Sequence, residues 1–211
     1  MGVFLAVSAF RRVDPAVLAD ALVTVAEGFG SNAEVVPAGP AEEDSAAVFA
    51  PAGDWTVVVW PDGFNLHDVD TCVALTAALG TTVSTVHVYD DDYWTHAVVA
   101  DGTVLDLFCS VPDYFDDDPV LAVRYAGRPD VVGEALGVDP ALVGRYLQPA
   151  EKACGAQASP GDEFTLDDFW VFTDFWRRMG ISYPSDLGAP AVLVDLGDSW
   201  SQMFPSGASE L

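Results

Sequence analysis

Basic residues are scarce in this chain. Its 211 residues include 8 Lys and Arg, with Lys152 the single lysine, against 33 Asp and Glu, for a formal net charge of −25. A folded chain of this size exposes about 9,400 Å², so an even spread places one excess negative charge on roughly every 380 Å². Such a field repels nucleic-acid backbones and anionic membranes and argues against both as partners. It favours solubility and cationic partners, and is equally what salt adaptation or a lysine-avoiding genome produces. Cysteine is also rare. Cys72, Cys109 and Cys154 are odd in number, widely spaced and without a C-x-x-C, which speaks against a disulfide framework and for reduced thiols in the cytoplasm. The apolar run from Met1 to Phe10 is too short for a membrane span and follows no basic segment, so it reads as a strand rather than a signal core. There is no G-x-S-x-G, no P-loop and no G-x-G-x-x-G. No cofactor is therefore expected.

What is present is apolar: 51% of residues are hydrophobic and 11% aromatic, which excludes a disordered acidic chain. Gly2 to Ala9 reads as a strand. Asp14-Pro15 then opens a helix, since Asp caps free N–H groups and Pro suits the first helical position. Short strands follow at Asn32 to Pro37, Ala47 to Ala50 and Trp55 to Trp60. A second helix with Val69, Val73, Thr76 and Leu79 on its apolar face stops at Gly80. Strands at Val83 to Tyr89, Tyr93 to Ala100 and Thr103 to Phe108 come next, the last two joined by Asp101-Gly102, a strong hairpin signal. The order β-α-β-β-β thus reads twice, with Val57 to Trp60 opening the second unit. The expectation is an α+β fold with an antiparallel or mixed sheet from two such units and a C-terminal helical segment. Residues 1–115 form the duplicated sheet unit, an internal repeat, and 116–211 a helical extension packed on the same domain.

Few residues are arranged for chemistry. Asp90, Asp91 and Asp92 make a hairpin tip, and Asp113, Asp116, Asp117 and Asp118 a second acidic loop, neither with the alternating spacing of a calcium loop. His87 and His96 flank the first tip. A two- or four-residue loop would set them opposite each other, with Cβ atoms about 5 Å apart, as two ligands of a metal that needs a third. An odd loop separates them. A two-residue turn at Asp101-Gly102 would put His96 opposite Leu107, diagonal to Cys109, so a Cys–His pair is conceivable. In the segment Phe164 to Met179, Phe169, Phe172, Trp176 and Met179 share one helical stripe with Phe175 beside it. Trp170 points elsewhere and is expected to be exposed or partner-facing.

The run Asp106, Phe108, Ser110, Pro112, Tyr114, Phe115 resembles the D-x-F-x-S-x-P-x-Y-F signature of a family of uncharacterised bacterial proteins. The helix carrying Asp167, Asp168, Phe169, Trp170, Asp174 and Phe175 is similar to a later D-D-F-W-x-x-x-D-F element of that family. The resemblance spans roughly residues 80 to 181 and departs at Cys109, where a polar residue is usual. It implies a fold unit and carries no activity.

Two functional readings follow. One is a non-enzymatic acidic cytoplasmic protein that binds a basic partner protein, in the manner of an immunity protein or inhibitor, through Trp170 and the aspartates at 90–92 and 116–118. The other is an enzyme or a small-ligand or metal-binding protein using the region of His87, His96, Asp106 and Cys109. Both share one expectation. Salt screens self-repulsion over about 10 Å at 0.1 M, so the melting temperature should be higher in 1 M NaCl than in 20 mM, and higher at pH 5.5 than at pH 8. A flat response to salt would mean that the acids are locally paired or bind cations.

Overall fold

The computed structural model describes residues 2–39, 44–153, 155–197 and 200–203. Cys154 and most of the C-terminal tail lie outside them. The fold is α+β. Eight strands, β1 (Leu5–Arg11), β2 (Glu34–Val36), β3 (Ser45–Val48), β4 (Trp55–Val59), β5 (Thr82–Tyr89), β6 (Tyr93–Ala100), β7 (Thr103–Cys109) and β8 (Val192–Asp195), form one sheet in the order β2-β8-β3-β4-β1-β5-β6-β7. Every pairing is antiparallel. Helix α1 (Pro15–Gly28) follows β1, and α2 (Asp68–Leu79) links β4 to β5. The β-α-β-β-β order reads twice along the chain only with β4 shared, as the end of the first reading and the start of the second. In the sheet β1 lies between β4 and β5, and β8 enters between β2 and β3.

The helices start where the local chemistry directs them. Asp14 accepts a hydrogen bond from Ala16 N at 2.9 Å, ahead of Pro15. The same Asp-Pro device opens α3 (Pro119–Arg124), capped by Asp118, and α5 (Pro140–Val143), capped by Asp139. Helix α4 (Pro129–Leu136) also begins on a proline. Residue 118 was expected in a loop, although its Asp-Pro pair is the same helix-start signal as Asp14-Pro15. Gly80 ends α2 with φ 60°, a conformation glycine adopts without the steric cost of a side chain.

Both sheet faces are covered, which explains why the central strands read as nearly continuous apolar runs. Leu18 and Leu22 of α1 and Cys72 and Leu75 of α2 pack on Ala6, Phe10, Val83 and Ala97. The buried face of α2 is centred on Cys72 and Leu75, and Val69, Val73 and Leu79 flank it. On the opposite face, α4, α5 and α6 (Val171–Arg178) cover Val7, Val86, Val98 and Phe108. A last short helix, α7 (Trp200–Met203), places Trp200 in the α1/α2 core. No helix among the described residues is long and apolar enough to cross a membrane.

The aromatic helix starts later than its sequence suggests. Asp168 accepts from Trp170 N in a turn, and the helix proper begins at Val171. Phe172, Phe175 and Trp176 are fully buried. Trp170 is half-buried, stacked on Phe172 at 5.7 Å and edge-on to Tyr183 at 5.9 Å. Phe172→Ala is expected to cost about 3–5 kcal/mol in urea unfolding, and Trp170→Ala clearly less. The reverse ranking would contradict this packing.

Candidate functional site

Four aspartates stand out as buried among the described residues: Asp68, Asp106, Asp162 and Asp174. Three of them face an arginine. Arg128 Nε lies 3.0 Å from Asp106, Arg178 Nη2 lies 2.7 Å from Asp162, and Arg177 pairs with Asp174. These pairs tie the C-terminal half together and meet the requirement that a buried charge be paired. Asp68 is different. It is 1% exposed, stands at the first position of α2, and its salt-bridge partner is a histidine. Its Oδ2 accepts from Thr85 Oγ1 at 2.8 Å, and its Oδ1 lies 3.3 Å from His87 Nδ1. Thr85 Oγ1 is 2.7 Å from Ser8 Oγ, which also accepts from Trp60 Nε1 at 2.7 Å. A polar chain thus runs from Trp60, just after β4, through β1 and β5 to the start of α2, inside an otherwise apolar interface.

The chain of contacts ends at a cavity of about 530 Å³. Its floor is the exposed stretch of sheet beyond the start of α2, where His87, Thr95 and Cys109 stand in one cross-strand row. Its far wall is the segment following β7, from Val111 to Tyr125. At one end Tyr89 and Tyr93 stack with ring centroids 5.4 Å apart, Tyr114 is 5.0 Å from Tyr93, and Phe115 is 5.3 Å from Tyr89. The signature-like run of residues 106–115 is therefore partly core and partly cavity wall. Phe108 is buried on the α6 side, Ser110 accepts from Trp94 N at 3.1 Å, and Pro112, Tyr114 and Phe115 line the cavity.

The strand registers correct both histidine expectations. The β5–β6 loop has three residues, with Tyr89 opposite Tyr93, so His87 pairs with Thr95 and His96 with Val86. The two rings lie on opposite faces, and the proposed metal pair does not form. No group of three or more His, Cys, Asp or Glu among the described residues is arranged to hold a metal. A bulge at Val98/Val99 then shifts β6–β7 by one residue, which sets His96 opposite Phe108 rather than Leu107. His96 and Cys109 consequently point to different faces. His96 sits in the α6 core, 2.9 Å from Ser84 Oγ through Nε2 and edge-on to Phe175 at 4.9 Å. Asp106 is held by Arg128 away from this cavity.

The acidic tips have structural partners. Asp90 and Asp91 adopt φ values of 51° and 64° and accept from Gly2 N and Val3 N. Asp92 accepts from the Tyr114 hydroxyl, which pushes that phenol up to about 12. Asp118 caps α3, Asp116 lies at the cavity rim, and Asp117 is exposed.

Chemically, the site offers an oriented imidazole. With Nδ1 turned to the Asp68 carboxylate, the ring is oriented so that Nε2 faces the cavity. Cys109 is in the same row as His87 but two strands away, about 10 Å. Burial pushes its thiol up to about 12, so it supplies no thiolate at neutral pH. Asp68, Tyr89, Tyr93 and Tyr125 were not singled out from sequence. The available signal was Thr85 and His87 at alternate positions of an apolar strand, which marks a polar stripe on one face. No protein-family model, curated protein or solved structure matches the chain.

Burial holds the pKa of His96 down at about 3, well below its ordinary 6.5. The unfolded ring takes a proton as pH falls through 6.5, while the folded ring stays neutral down to about 3. This contribution to stability is therefore nearly complete above 6.5 and declines below it, by roughly 1 kcal/mol at pH 5.5. It opposes the gain from charge relief. The His96 ring signals in NMR are expected to keep neutral-form shifts from pH 8 to pH 5. A midpoint near 6.5 would contradict the burial.

Proposed function

We propose that this chain is a small-molecule-binding protein, with the ligand seated in the cavity between β5–β7, the start of α2 and the segment 111–125. The observation that carries this reading is the buried Asp68–His87 pair facing a cavity of about 530 Å³. That volume lies in the range of ligand sites, and the composition fits as well: mostly apolar and aromatic walls with a few converging polar groups. It is also the place where a buried carboxylate takes a titratable, orientable partner in place of an arginine.

A second reading keeps the acidic, protein-binding role expected from composition. It is favoured by the outer surface of the same wall, where Phe115, Val120 and Val123 are 67%, 62% and 80% exposed beside Asp116 and Asp117. A basic partner with an apolar contact would suit it. A low-salt pull-down from host extract that yields no salt-sensitive basic protein would count against this role.

The ligand reading is tested by screening neutral, cationic and anionic aromatic fragments against the full chain, following the ring signals of His87 and Tyr93 by NMR. Binders are expected to shift both residues together and to lose affinity in Thr95→Phe, which fills the cavity floor. If no fragment of any charge perturbs them, the reading fails.

A further inference from the structure

We propose that the cavity selects a small aromatic amine, its ammonium group donating to His87 Nε2 and its ring lying against the tyrosine wall. The inference rests on reading the cavity as a ligand site, and adds the class of ligand.

Three independent features point to a cation. The first is the polarity of the floor. His87 is 5% exposed, its Nδ1 is engaged by Asp68, and Nε2 has no hydrogen-bond partner among the described residues. With Nδ1–H donating to Asp68, Nε2 is left as the acceptor and pairs with a ligand that donates. Asp68 behind the ring adds negative charge, which an ammonium meets favourably and a carboxylate does not.

The second is the wall. Tyr89 and Tyr93 stack at an interplanar angle of 14°, and Phe115 stands nearly perpendicular to both, at 84° and 88°. Aromatic faces carry the negative part of the ring quadrupole and attract cations. The chain shows this preference itself, since the Arg124 guanidinium lies 5.2 Å from the ring centroid of Tyr125, another cavity residue. The third is the field: at −25 net charge, a cationic ligand is concentrated at the surface and an anionic one depleted.

Arg124 is the feature that would serve an anion. It is exposed at the rim, and Asp116 lines the same cavity. The geometry requires a donor at Nε2, so a primary amine suits the floor better than a quaternary ammonium, which has no N–H.

The experiment compares 2-phenylethylamine, 2-phenylethanol and 3-phenylpropionate binding to the full chain at low salt, by calorimetry and NMR. The amine is expected to bind at least about tenfold more tightly than the other two. His87→Ala should remove most of that preference. Because His87 is buried, the exposed Asp116→Asn provides a second arm and should weaken the amine several-fold. Arg124→Ala should leave amine binding unchanged or tighter. Equal or tighter binding of 3-phenylpropionate, lost in Arg124→Ala, would overturn the amine assignment while leaving a ligand site in place. If none of the three binds, the amine assignment is also overturned, and the ligand-site reading then rests on the wider fragment screen.

Discussion

Asp68 places a carboxylate between the start of α2 and the two central strands β1 and β5, and much of the site follows from how that charge is accommodated. A buried carboxylate left without partners is costly, whereas one that accepts several hydrogen bonds locks its neighbours in place. Here the partners come from β5 directly, and from β1 and the residue after β4 through Ser8 and Trp60. The start of α2 is thereby held against the sheet, and the strip of sheet beyond it is left uncovered as a cavity floor. The thiol of Cys72, 3.4 Å from Ser8, is pushed up by burial and by the nearby Asp68 charge, which makes it part of the packing and not a nucleophile.

The two faces of the sheet divide the work. The α6 side is dry and aromatic. Ser84 accepts from Trp176 Nε1 at 3.1 Å and contacts His96, and three Arg–Asp pairs fasten the surrounding loops and helices. The α2 side carries the polar chain and the opening. Many of the 25 aspartates act locally, as helix caps at Asp14, Asp118 and Asp139 and as tethers at Asp90, Asp91 and Asp92. The excess of Asp over Glu accords with these uses, because the shorter side chain reaches its own backbone neighbourhood.

Element order, the Asp14-Pro15 helix start, the Asp101-Gly102 turn and the burial of Phe172 and Trp176 were legible from residue pattern, because each depends on a few neighbours in the chain. The site was not. Whether His87 meets His96 depends on the parity of one loop, and three consecutive aspartates do not reveal whether two, three or four residues lie in the turn. Whether His96 meets Cys109 depends on a bulge in an unremarkable run of valines and leucines. A one-residue change in register exchanges the two faces. Asp68 stands at the start of α2, and its link to β5 spans a sequence separation of 17 that no local pattern bridges.

The central claim is that Asp68 presents His87 Nε2 to the cavity as a hydrogen-bond acceptor. The most direct measurement is ¹⁵N NMR of the histidine rings at neutral pH, in the free chain and with a cavity-bound fragment. The account predicts the tautomer protonated on Nδ1 for His87, lost in Asp68→Asn, with Nε2 as the nitrogen that responds to the fragment. A ring protonated on Nε2 in the free protein, or an Nε2 signal unmoved at saturation, would contradict it.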